Sequence, residues 1–186
     1  MEIRDLVVTP VVIMLVCAVA YVLRRRMTDE VTSRYYFPAL ALKIFGAVAL
    51  GLLYQYYYGG GDTFNFHTRG SRIIWEAFWD SPELGWRLLT SSGEYIPGAV
   101  KYYSRIPFYY DPSSFFVVRV AAFLDLFTFS TYSATAVFFA FFSFIGCWLM
   151  FLTFYRLMPQ AHGWLAAAIL FVPSVIFWGS GILKDT

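Results

Sequence analysis

The chain reads as an all-α, polytopic membrane protein with about four transmembrane helices and short membrane-surface helices in one long outer loop. Three observations predict this. Hydrophobic residues make up 59% of the 186 positions, aromatics 22%, and charged residues only 14%. A soluble domain is about 45–50% apolar and about 25% charged. The apolar residues also come in runs near the ~20 residues that a membrane helix needs. Finally, the charges cluster between those runs. This composition excludes a soluble enzyme, a disordered chain and a disulfide scaffold. A net charge of +2 gives no case for nucleic acid as a partner.

The first predicted span is 6–23. Ala18, Val19 and Ala20 have the small-x-small look of a signal cleavage site. However, Glu2, Arg4 and Asp5 before the run are not net positive, and Arg24, Arg25 and Arg26 follow it, so a retained helix is expected. The second span is 36–58, with Lys43 expected to snorkel toward an end. The third is 132–155, and the fourth is 164–183, with Pro173 marking a kink. Cys17 and Cys147 lie in apolar runs and read as buried small hydrophobes, without a metal or redox role.

Arginines within 24–34 make that loop cytoplasmic by the positive-inside rule. The N-terminus is then outside, and 59–114 forms the long outer loop. The segment 113–129 is apolar but short and carries Arg119 and Asp125, so it is expected to lie as a helix at the outer interface. The last span stops at Lys184, Asp185 and Thr186 without a tail. The expectation is a single membrane domain, 1–186, forming the N-terminal part of a larger protein.

The outer loop mixes charged and aromatic residues, which suits headgroup depth. Ser71 is positioned to cap a helix reaching Trp79. Ser81 and Pro82 start another, through Leu89, and Asp111 and Pro112 start the interfacial helix. Helices this short need packing to persist, so a roof over the bundle is expected.

Gly59, Gly60 and Gly61 end the second span and leave Asp62 at the outer boundary. There Asp62 is either the cap of a helix starting at Thr63 or a carboxylate available as base or metal ligand. Arg69 and Arg72 follow on the same segment. The guanidinium fork suits phosphate, and plain headgroup contact would place arginines there as well. His67 has no Cys/His cluster beside it and is given no role. Arg119 and Asp125, six residues apart, do not share a helix face and should meet other parts of the bundle. Lys184 at the predicted outer face is either a ligand for an anion or an interfacial anchor.

Three stretches carry a resemblance. They are Tyr58 to Thr63, Phe116 to Arg119, and Pro173 to Asp185, the last being the most specific. The chain resembles the N-terminal part of polytopic bacterial cell-envelope proteins related to GT-C glycosyltransferases and O-antigen polymerases. The layout of an acidic outer loop, surface helices and a helix opening with arginine is shared. It departs from the family in reaching the acidic loop after the second span instead of the first.

The resemblance implies a multi-pass protein of the bacterial inner membrane, with the bilayer and a polyprenyl-phosphate-linked sugar as partners. Its activity would be sugar transfer in cell-envelope polysaccharide biosynthesis. Asp62 is the position matching the carboxylate that activates the acceptor or helps hold a divalent metal. Arg69, Arg72, Arg119 and Lys184 are candidates to hold the lipid phosphate, the first two by proximity alone. A transporter subunit and a non-catalytic membrane scaffold are the competing classes.

Overall fold

The computed structural model describes residues 3–184 and 186. Glu2 and Asp185, which entered the sequence reading, lie outside the described residues. Among those described, secondary structure is helical throughout, in the order α1 (Ile3–Met27), α2 (Ser33–Tyr56), α3 (Asp62–Phe66), a π turn (His67–Ser71), α4 (Arg72–Asp80), α5 (Pro82–Thr90), α6 (Val100–Tyr103), α7 (Pro112–Thr128), α8 (Tyr132–Leu157), α9 (His162–Ile169) and α10 (Pro173–Trp178).

Among the described residues three helices, α1, α2 and α8, are long and apolar enough to cross a membrane. They match the first three predicted spans to within a few residues. The predicted fourth span is corrected. Residues 164–183 form no single helix, because Pro173 cannot donate to the ladder and opens a new helix after a break at 170–172. The result is a discontinuous segment, α9 and then α10, with 179–184 continuing as turns.

Two cores organise the molecule. In the first, α8 packs along both α1 and α2. Tyr36 and Leu40 meet Phe144, Trp148 and Phe151 there, with Val12 and Val16 from α1. Tyr36 sits edge-on to Phe144 and Trp148, at centroid distances of 5.0 and 4.8 Å, a favoured ring geometry. Asp5 reaches across from α1, and its Oδ1 accepts from the Ser133 N–H at the start of α8. The outward faces stay apolar: Leu6, Val11, Met14 and Val22 of α1 are exposed. An apolar surface that extensive belongs against lipid or another chain.

The second core belongs to a module of short helices between α2 and α8. The predicted short helices are present as α4 and α5, and α7 is their hub. Ile74, Ala77 and Leu88 pack with Phe115, Val118 and Ala121. The helix expected at the interface is α7, and it shows Phe116, Phe123 and Phe127 along its exposed side. Asp111 caps it by accepting from the Ser113 N–H.

Three local expectations are corrected. Ser71 makes no cap contact with α4; its hydroxyl turns inward to Asp125 instead. Lys43 does not snorkel. It is 2% exposed, and its ammonium donates to Ser143 Oγ, Val175 O and Gly179 O. Val175 O also accepts from the Gly179 N–H, whereas Gly179 O lies past the end of α10, where helical donors run out, and the lysine supplies one. Cys17 and Cys147 are half-buried and unpaired. Gly46 makes this packing possible: a Cβ there would sit 2.2 Å from Ile176 O.

Candidate functional site

The three glycines after α2 turn the chain sharply. Gly61 has φ 135° and ψ −167°, a region open essentially to glycine alone. A Cβ on Gly61 would also meet the Tyr54 ring at 2.6 Å. The turn starts α3 at Asp62, one residue earlier than the cap reading requires. Asp62 is therefore the first residue of the helix, and Gly61 at the cap position offers no side chain. The Asp62 carboxylate is exposed. Among the described residues none gives it a hydrogen bond or an ion pair.

Two clefts meet at Asp62. One, of about 730 Å³, is lined by Tyr54, Tyr58, the three glycines, Asn65 and Arg69. The other, of about 340 Å³, is lined by Phe66, Phe108, Asp111, Ser114 and Lys184. In the second cleft Lys184 Nζ donates to Asp111 Oδ2 at 3.2 Å and to Ser113 Oγ at 3.1 Å. Hydrogen bonds from Ser114, Lys184 and Ser113 hold the Asp111 carboxyl well below the usual carboxylate range.

The structure thus brings together Asp62, Arg69 and Lys184. The two other candidate phosphate ligands are turned elsewhere. Arg72 donates to Ser130 Oγ at 3.3 Å and to Ser130 O at 3.1 Å. This braces a turn in which Phe129 and Ser130 both have positive φ. Arg119 donates to Ser91 O at 2.7 Å and lies beside the rings of Phe115 and Phe116. It ties α7 to the end of α5.

Beneath the clefts is a buried polar network that sequence reasoning missed. His67 Nε2 lies 3.4 Å from Asp125 Oδ1, and both side chains are fully buried. Asp125 also accepts from Ser71 Oγ and Thr135 Oγ1, each at 2.7 Å. Burial pushes its carboxyl up. His67 together with the two hydroxyl donors outweighs that and leaves it below the usual range. The His67 ring stands edge-on to Tyr132 at 5.4 Å, and the Tyr132 hydroxyl is 2.7 Å from Thr63 Oγ1. The network therefore reaches the residue after Asp62. The available signal was the spacing of His67 and Ser71, one helical turn apart, together with polar residues inside otherwise apolar helices.

The donor set does not fit a divalent ion. Two carboxylates, Asp62 and Asp111, share the second cleft, and the latter is committed to a lysine and two serines. Among the described residues no group of three or more His, Cys, Asp and Glu side chains is placed to hold a metal. No family model, no curated protein and no solved structure matches the chain.

Proposed function

We propose that the chain is the membrane-embedded part of a glycosyltransferase-like protein that uses a polyprenyl-phosphate-linked sugar in bacterial cell-envelope glycan assembly. The observation that carries this reading is the Asp62 carboxylate, unpaired at the junction of two clefts, with Arg69 in one and Lys184 in the other. In this reading α1, α2 and α8 cross the inner membrane. The arginines after α1 lie on the cytoplasmic side, and the clefts open on the outer side.

Asp62 accepts the proton of the acceptor hydroxyl as its oxygen attacks the anomeric carbon. The bond from that carbon to the phosphate oxygen breaks, and the polyprenyl phosphate departs with the electron pair. Arg69 and Lys184 stabilise the charge that develops there, with Lys184 exchanging Asp111 for the phosphate. The test is transfer by Asp62→Asn in the full-length protein.

A transporter subunit is the second reading, favoured by the discontinuous α9–α10 segment. Transporters build ligand sites at the ends of such broken helices. Here the cation at the break, Lys43, already donates to three protein oxygens. Substrate flux in proteoliposomes without any sugar transfer would favour that class.

A further inference from the structure

A third cleft, of about 410 Å³, lies on the module of short helices between α4 and α6. Along α4, Trp75 and Glu76 are repeated one turn later by Trp79 and Asp80. On α6 and the turn after it, Lys101 and Arg105 have the same spacing. They close onto the carboxylates: Lys101 Nζ to Asp80 Oδ2 at 3.0 Å, an oxygen that also accepts from the Tyr102 hydroxyl, and Arg105 to Glu76 Oε2 at 3.1 Å. Each turn of α4 therefore presents one indole beside one carboxylate–cation pair. The indole centroids are 5.6 Å apart, with planes at 71°, and Trp79 is 71% exposed.

This is a repeated site, and its period is that of one helical turn, about 5.4 Å. That is the scale of one pyranose ring. A sugar offers an apolar C–H face to an aromatic ring, and hydroxyls that both donate and accept. A carboxylate beside a cation meets both needs at once, and the indole supplies the apolar wall. A phosphate-rich ligand fits poorly, because two carboxylates stand in the cleft and would repel it. A lipid belt would place indoles against acyl chains and headgroups, whereas these two line a concave cleft beside ion pairs.

We infer that the cleft between α4 and α6 binds a neutral oligosaccharide, with two adjacent sugar units on Trp75 and Trp79. The inference deepens the glycan reading of the Asp62 site and rests on it for the identity of the polymer, but binding here does not use Asp62. Because α4 follows the π turn carrying Arg69 directly, the chain held in this cleft runs on the module that bears the transfer site.

The test is retention of the full chain, in lipid nanodiscs, on an array of defined neutral hexasaccharides and the matching monosaccharides. Wild type should be held by at least one hexasaccharide at least ten-fold more strongly than by its monosaccharide. Trp79→Ala, at an exposed position, should lower that retention ten-fold or more at unchanged melting temperature, and Asp62→Asn should leave it intact. No retention by wild type, or retention unchanged in both Trp79→Ala and Trp75→Ala, overturns the inference. So does quenching by brominated lipid of the emission that Trp79→Ala removes, which would make the indole a membrane anchor. Retention with normal transfer by Asp62→Asn would sink the transferase reading alone. Lost transfer by Asp62→Asn without any retention would sink this cleft alone.

Discussion

The Lys43 ammonium lies 2.7 Å from the carbonyl oxygen of Gly179, and 2.9 Å from both Val175 O and Ser143 Oγ. One buried side chain of α2 thereby holds the end of α10, the short helix from which the chain runs on to Lys184. The contact connects the apolar bundle to the second cleft.

Lys43→Met is expected to destabilise the protein by about 1–3 kcal/mol, because it removes a donor shared by Gly179 O, Val175 O and Ser143 Oγ and leaves the half-buried Gly179 O without it. The loss should be local first. Amide exchange at 176–184 should accelerate before that of α8. Unchanged exchange in 176–184 would mean that the segment is held by packing alone.

The buried pair of His67 and Asp125 is expected to act as a unit. Asp125→Ala removes the acceptor that Ser71 and Thr135 share and should cost about 1–3 kcal/mol, the range for lost buried hydrogen bonds. In a double-mutant cycle with His67→Phe, the coupling should fall within about 0.5–3 kcal/mol. Strictly additive melting shifts would show that the two side chains do not depend on each other.

Gly61→Ala puts a Cβ at a φ of 135° and against the Tyr54 ring. A cost of about 1–3 kcal/mol is expected from the backbone alone. Gly59→Ala faces open space and carries only the penalty of its φ of 66°. Thermal melts should rank Gly61→Ala below Gly59→Ala, and equal melts would contradict the turn geometry.

The latch between Lys184 and Asp111 should withstand mild acid. The Asp111 carboxyl sits below its unfolded value, so its contribution to stability is present above the unfolded pKa, near 3.9. It is lost only as pH falls through the lower folded value. Between about pH 5 and pH 3, where an unperturbed aspartate titrates, the carboxyl carbon of Asp111 should show no midpoint by NMR. A midpoint near 3.9 would mean that the latch is absent.

Much of the fold was legible because run length and charge placement report membrane-scale helices directly. Span 132–155 became α8 almost unchanged, and Ser81–Pro82 and Asp111–Pro112 marked two helix starts. The fourth span was not legible as two helices, since apolar content persists through Pro173 while the backbone ladder does not. Lys43 was read as snorkelling because the break that gives it acceptors lies more than a hundred residues away. The sequence isolated Asp62 through its three glycines. Asp125 was expected to meet another part of the bundle, but its partners His67 and Ser71 were not legible, because the contact joins the π turn to α7 across a long stretch of chain.

If the Asp62 carboxylate accepts a proton during the proposed sugar transfer, its loss should appear in the rate of that step. The most direct measurement is the initial rate of transfer from a polyprenyl-phosphate-linked sugar in proteoliposomes, for wild type and Asp62→Asn of the full-length protein at matched membrane abundance. Among the described residues none gives the Asp62 carboxylate a hydrogen bond or an ion pair, and Gly61 holds the cap position, so the substitution should change stability little. A rate lower by roughly 10²-fold or more is expected. A normal rate at normal abundance would contradict the proton-accepting role.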